Sequence, residues 1–228
     1  MDAQGDFMYN KIISAWILAA VLLLTPISLL ARQDWQKAET DEDKHIVVYT
    51  RSVEGSDFIA TRGVTTVKTS LGAVVNLIAD TDSFSEWMHQ MKHAKIVEQF
   101  SKTERLTYTA QDSPWPVKDR DMVVYSKLSQ DPDTKEVVID MVARPEAFPE
   151  QDDYVRIPAM TNRWQLTPKG EGQIAVIYEI HANPGGSLPS PMYNATAADT
   201  PLKTLQGLQR MIEQPEYRDA RMPGISEP

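Results

Sequence analysis

The chain has 228 residues, 42% of them hydrophobic, and carries a net charge of −9 from 23 basic and 32 acidic residues. That is enough apolar material for one sizeable core, with no composition break that asks for a second domain. The acidic balance opposes binding to nucleic-acid phosphates, and the absence of cysteine removes disulfide, thiolate-metal and thiol-nucleophile chemistry.

Residues 12–31 form an apolar run interrupted by Ser14, Thr25, Pro26 and Ser28, which as a helix would be about 30 Å long, enough to cross a bilayer. Its unbroken part runs from Ala15 to Leu24, and Pro26 stands before Leu29-Leu30-Ala31, where a small residue occupies a cleavage position. Segment 1–31 therefore reads as a signal peptide, with a retained membrane anchor as the alternative. The signal peptide puts the folded domain in the periplasm or outside the cell; the anchor tethers it outside the cytosol. The basic start is weak, with Lys11 alone behind Asp2 and Asp6. Without residues 1–31 the chain keeps 22 basic and 30 acidic residues, a net charge of −8.

Segment 32–44 mixes acids and bases around Trp35 and reads as a short, partly exposed helix or linker. His45–Ser52 and Phe58–Lys68 alternate apolar and polar residues about Glu54-Gly55-Ser56, as a hairpin does. Thr69 or Ser70 can cap a helix bearing Leu71, Val74, Val75 and Ile78. Asp82 or Ser83 can cap a second with Phe84, Trp87, Met88 and Met91. Six strands follow: Ala94–Phe100, Arg105–Ala110, Met122–Leu128, Glu136–Ala143, Tyr154–Leu166 and Ile174–His181. Asp131-Pro132-Asp133 and Lys169-Gly170-Glu171-Gly172 have turn chemistry. A last helix, Met192–Gln214, carries Pro201 and Gly207, read as a hinge in a lid; alternatively Asp199 or Thr200 caps a separate helix with Pro201 at its first position. With hairpin turns and no βαβ alternation, the fold class is antiparallel α+β.

Three blocks stand out: Ser113-Pro114-Trp115-Pro116-Val117-Lys118-Asp119-Arg120-Asp121, Asn162-Arg163-Trp164-Gln165-Leu166-Thr167-Pro168, and Asn183-Pro184-Gly185-Gly186-Ser187-Leu188-Pro189. In the first, prolines end one strand, Arg120 is expected to pair with Asp119 or Asp121 or to cap local carbonyls, and the next strand begins. Together the blocks resemble the START (StAR-related lipid transfer) domain family, over a span from about Ile46 to Met211. The resemblance implies a helix-grip fold: a curved antiparallel sheet around a long C-terminal helix, enclosing a hydrophobic cavity. Residues 45–214 would form that domain and 215–228 a C-terminal tail.

Strand parity assigns the faces. Met122, Val124, Ser126 and Leu128 share an uncharged face read as inward, as do Val137, Ile139, Met141 and Ala143, then Val176, Tyr178 and Ile180, with Trp164 and Leu166. An ordinary filled core is the competing reading of these positions. Methionines and aromatics beside isolated hydroxyls suit an adaptable pocket. The candidate ligand-binding residues are Trp87, Met88, Tyr108, Met122, Val124, Ser126, Ile139, Met141, Trp164, Tyr178, Met192, Thr196 and Leu205. Relatives in the family often carry a charged pair in the cavity. Here the arginine position falls on Ser126 and the acidic one near Thr107 or Tyr108, which implies a neutral or weakly polar ligand headgroup.

His45, His89, His93 and His181 fall on different elements, so no metal is expected; only His89 and His93, four apart, come close to a ligand pair. No G-x-S-x-G elbow, P-loop or dinucleotide fingerprint is present, and no cofactor is expected. Asn194-Ala195-Thr196 is a glycosylation sequon. The reading is a non-enzymatic carrier of a lipid or sterol-like molecule, with a transient membrane or transporter contact as partner. The alternatives are a polyketide cyclase or aromatase, for which Tyr108, Tyr178 and Arg163 could be recruited, and an envelope interaction module.

Overall fold

The computed structural model describes residues 34–228. The signal or anchor segment, 1–31, lies outside the described residues, and no described helix is long and apolar enough to cross a membrane.

One sheet of ten strands dominates: β1 (Gln36–Asp41), β2 (Ile46–Val53), β3 (Ser56–Lys68), β4 (Met91–Gln99), β5 (Glu104–Gln111), β6 (Arg120–Gln130), β7 (Val137–Ala143), β8 (Val155–Arg156), β9 (Ala159–Gly170) and β10 (Gln173–Asn183). Their spatial order is β1-β2-β3-β10-β9-β7-β6-β5-β4, all antiparallel, with β8 pairing in parallel with β6. Five helices accompany the sheet: α1 (Leu71–Ala79), α2 (Phe84–Trp87), α3 (Ser190–Thr196), α4 (Asp199–Ile212) and α5 (Pro215–Arg218). The first helix of the pair that interrupts the strands is where the sequence puts it, whereas the second stops at Trp87: Met88 is extended and Met91, expected in that helix, begins β4. Ser70 Oγ accepts the Ala73 N–H and caps α1.

The core lies between the concave face of the sheet and helices α1 and α4. Helix α4 turns Pro201, Thr204, Leu205, Leu208, Met211 and Ile212 inward at helical spacing. Trp164 stacks on Tyr178 with ring centroids 4.2 Å apart, and Trp87 approaches Trp164 at 6.1 Å. Gly207 is the point of closest approach: a Cβ there would lie 2.1 Å from the Trp87 carbonyl oxygen. The absence of a side chain there admits a backbone contact between α4 and the end of α2.

Four further boundaries differ from expectation. Segment 32–44, read as helix or linker, contains the edge strand β1, whose polar side chains show no alternation because both its faces are largely solvated. Backbone pairing to β2 holds it, and Trp35 is clamped between the Arg51 and Arg62 guanidinium groups at 4.6 and 4.2 Å. The expected strand Tyr154–Leu166 breaks at Ile157-Pro158, where proline has no N–H to give a ladder. The expected single helix Met192–Gln214 is two helices joined through Ala197 and Ala198, with Pro201 in the first turn of α4, where its missing N–H is harmless. Finally, 215–228 is not a loose tail. It holds α5, and the Glu227 carboxylate accepts the Leu71 and Gly72 N–H groups at 3.0 and 2.9 Å, closing the N-terminus of α1.

Candidate functional site

A lumen opens between the concave face of the sheet and the helices. Its inner chamber, about 70 Å³, is walled by Trp87 and Met88 after α1, Met122, Val124 and Ser126 on β6, Met141 on β7, Trp164 on β9 and Tyr178 on β10. His89, Gln111, Met122, Met160, Ile180 and Thr200 also border a larger outer cavity of about 470 Å³, so the two adjoin. The outer cavity lies between the turn joining β5 to β6 and helix α3, which contributes Met192 and Thr196.

That turn is built by charge. Asp119 accepts the Ser113 N–H at 2.8 Å and pairs with Lys92 at 2.9 Å, and Val117 N–H closes a tight turn on Pro114. Trp115, held at its tip, is 93% exposed. Lys92 and Ser113 together keep the Asp119 carboxyl below the usual range. Arg120 does not pair with either neighbouring carboxylate: its guanidinium donates to the Lys118 carbonyl and, at 3.5 Å, to Ser113 Oγ. Asp121 instead binds Arg156 through two hydrogen bonds of 2.9 Å. This pair ties down the segment that crosses the convex face, where Phe148 and Tyr154 pack on Leu106, Tyr108 and Val123.

Ten of the thirteen candidate residues line the two chambers, and three do not. Tyr108 points to the convex side, its ring 5.0 Å from that of Phe148, because β5 turns its apolar residues away from the lumen. Burial pushes the Tyr108 phenol up to about 12, with Asp121 beside it adding to the effect. Leu205 is fully buried against Gly63. Ile139 borders neither chamber but a separate cavity of about 110 Å³ beyond the inner one.

What the sequence reading missed is the polar wall of β5. Arg105, Thr107, Thr109 and Gln111 line the inner chamber. Register could have found them: Tyr108 lies opposite Val123, and Thr107 opposite Val124, so the inward face of β6 fixes that of β5. The expectation of a lumen without charge is also corrected. Arg105 sits directly across from Ser126, so a cation is present one strand away from where the family's arginine would fall.

His89 borders both chambers, and burial lowers its pKa. His93 lies on the convex side, 5.9 Å from the Tyr108 ring, so the pair four residues apart is divided between the two faces. Among the described residues no group of three His, Asp or Glu side chains could hold a metal. The sequon residue Asn194 is engaged, accepting the Ile59 N–H and donating to the Asp57 carbonyl.

A curved antiparallel sheet gripping a helix over an apolar lumen defines a hydrophobic-ligand-binding fold. The START domain family model matches residues 28–215, and the chain belongs to that family. It is 36% identical over 197 residues to an uncharacterized protein of Pseudomonas aeruginosa, covering 86% of this chain and 95% of the relative. Among solved structures, a STAR-related lipid transfer protein from Xanthomonas axonopodis is similar at 32% identity and a TM-score of 0.73, covering 79% of this chain and 99% of its own. Human StAR-related lipid transfer protein 5 shares the fold at 14% identity and a TM-score of 0.70, over 91% and 96% of the two chains.

Proposed function

We propose that this protein is a non-enzymatic carrier that shields a lipid or sterol-like molecule in its lumen and collects it from a membrane outside the cytosol. The observation that carries the reading is the mouth of the outer cavity. Trp115, almost wholly exposed, stands on a charge-braced turn at one side of that cavity, and Met192, 56% exposed, stands at the other. Two large apolar side chains held in water at the rim of an apolar lumen suit contact with a membrane surface. A ligand passing between them would never cross bulk water. Lipid transfer by the Xanthomonas relative, as its name states, supports the same use of this fold.

Catalysis has less support. The inner chamber is bordered by hydroxyls, amides and one arginine but by no carboxylate among the described residues, and its single histidine is at the junction with the outer cavity. The apolar run 12–31 supports a location outside the cytosol. The test is movement of a fluorescent lipid from donor to acceptor vesicles. A carrier accelerates transfer in proportion to its concentration, and a protein that leaves the spontaneous rate unchanged is not one.

A further inference from the structure

We infer that the deep end of the lumen is a receptor for a small anionic group, and that the ligand is an amphiphile ending in a carboxylate, bound head-first with Arg105 as its counter-ion. The inference rests on the carrier reading and names the ligand class for that site.

Arg105, Ser126, Met141, Asn162 and Ile180 lie opposite one another on β5, β6, β7, β9 and β10 and form one row across the concave face. All five border the inner chamber. The Arg105 side chain is fixed by the C-terminus of α1, donating from Nη1 to the Ala79 carbonyl at 2.6 Å and from Nη2 to the Ile78 carbonyl at 3.3 Å. Those bonds use two of five N–H donors. No carboxylate pairs with Arg105 among the described residues. Asp80, the acid nearest in effect, is committed to Tyr217 Oη at 2.5 Å and the Asp82 N–H.

A half-buried guanidinium compensated only by a helix end is an expensive arrangement unless an anion completes it. Close to the Arg105 row the chamber has further unmet polar groups: Trp164 Nε1 and Asn162 Oδ1 are buried without a hydrogen-bond partner. The indole can only donate, and the Asn162 amide presents either end after a half turn. These are the partners a carboxylate needs. Size narrows the class. The inner chamber, about 70 Å³, is small, which suits a carboxylate better than a bulkier phosphodiester headgroup. The apolar remainder of the ligand would fill the larger outer cavity.

The test titrates the protein with cis-parinaric acid and with its methyl ester at neutral pH, following probe fluorescence. The acid should bind at least tenfold more tightly than the ester. Arg105→Met should bring the two affinities together with the ester affinity kept, and Arg105→Lys should restore part of the preference. Equal affinity for acid and ester in the native protein, or a preference that survives Arg105→Met, would overturn the assignment and leave the carrier standing. Failure of both probes to bind would remove the carrier reading and the carboxylate assignment with it.

Discussion

Asp121 and Arg156 meet as a bidentate ion pair although 35 residues separate them, with side chains 1% and 7% exposed. All five guanidinium donors are used, because Arg156 also donates to the carbonyls of Pro145 and Phe148 through Nη1 and of Pro149 through Nη2. The pair joins the start of β6 to the segment that covers the convex face. Removing either partner leaves a buried charge without compensation. Arg156→Ala or Asp121→Asn should therefore cost about 3–5 kcal/mol in urea unfolding. Arg120→Ala, which removes a carbonyl cap and no ion pair, should cost about 1 kcal/mol. Equal losses at Arg120 and Arg156 would mean that the signature turn is organised differently.

Gly207 gives a second stability test. An added Cβ would meet the Trp87 carbonyl oxygen at 2.1 Å, backbone against backbone, so no side-chain rotation relieves it. Gly207→Ala should raise the helix propensity of α4 and still destabilise the protein by about 1–3 kcal/mol, seen as a lower Tm. A higher Tm would show that α4 can shift off Trp87 without cost.

Alkaline pH should loosen the domain. Burial pushes the phenols of Tyr108 and Tyr217 up to about 12, and Tyr217 also donates to Asp80. An unfolded tyrosine ionises near ~10. Between those values the unfolded chain releases protons that the folded chain retains, so stability is intact below ~10 and falls as pH rises toward about 12. Unfolding midpoints measured from pH 8 to 11.5 should show that decline, and Tyr217→Phe should flatten part of it.

Trp115 separates stability from uptake. At 93% exposure it contributes little to the core, so Trp115→Ser should leave the Tm within about 1 °C while slowing vesicle-to-vesicle lipid transfer several-fold. Unchanged transfer would move the membrane contact elsewhere on the surface.

Location has its own check. N-terminal sequencing of protein recovered from cells should read from near Arg32 or Gln33, in the soluble envelope fraction. Residues 12–31 intact in the membrane fraction would establish the anchor.

Much of the sheet is legible in the sequence because alternation is visible wherever one strand face is buried. Val137, Ile139 and Met141 on β7 and Val176 and Tyr178 on β10 declare the concave face in this way. Strand β1 does not, since an edge strand solvated on both faces needs no apolar side chains, only backbone pairing. Strand β5 misleads. Its apolar residues Leu106, Tyr108 and Ala110 serve a second cluster on the convex side, and its polar ones face the lumen. A local pattern reports that a strand has two unlike faces but not which one meets the core. The choice of Arg156 as the partner of Asp121 is non-local in the same way, decided by how the segment after β7 folds back.

The most direct test of the central claim is native mass spectrometry of the protein after incubation with vesicles made from the lipids of its own host. A carrier should return with one bound amphiphile per chain, recoverable by solvent extraction. A protein that emerges empty, at concentrations where its fold is intact by circular dichroism, would contradict the account.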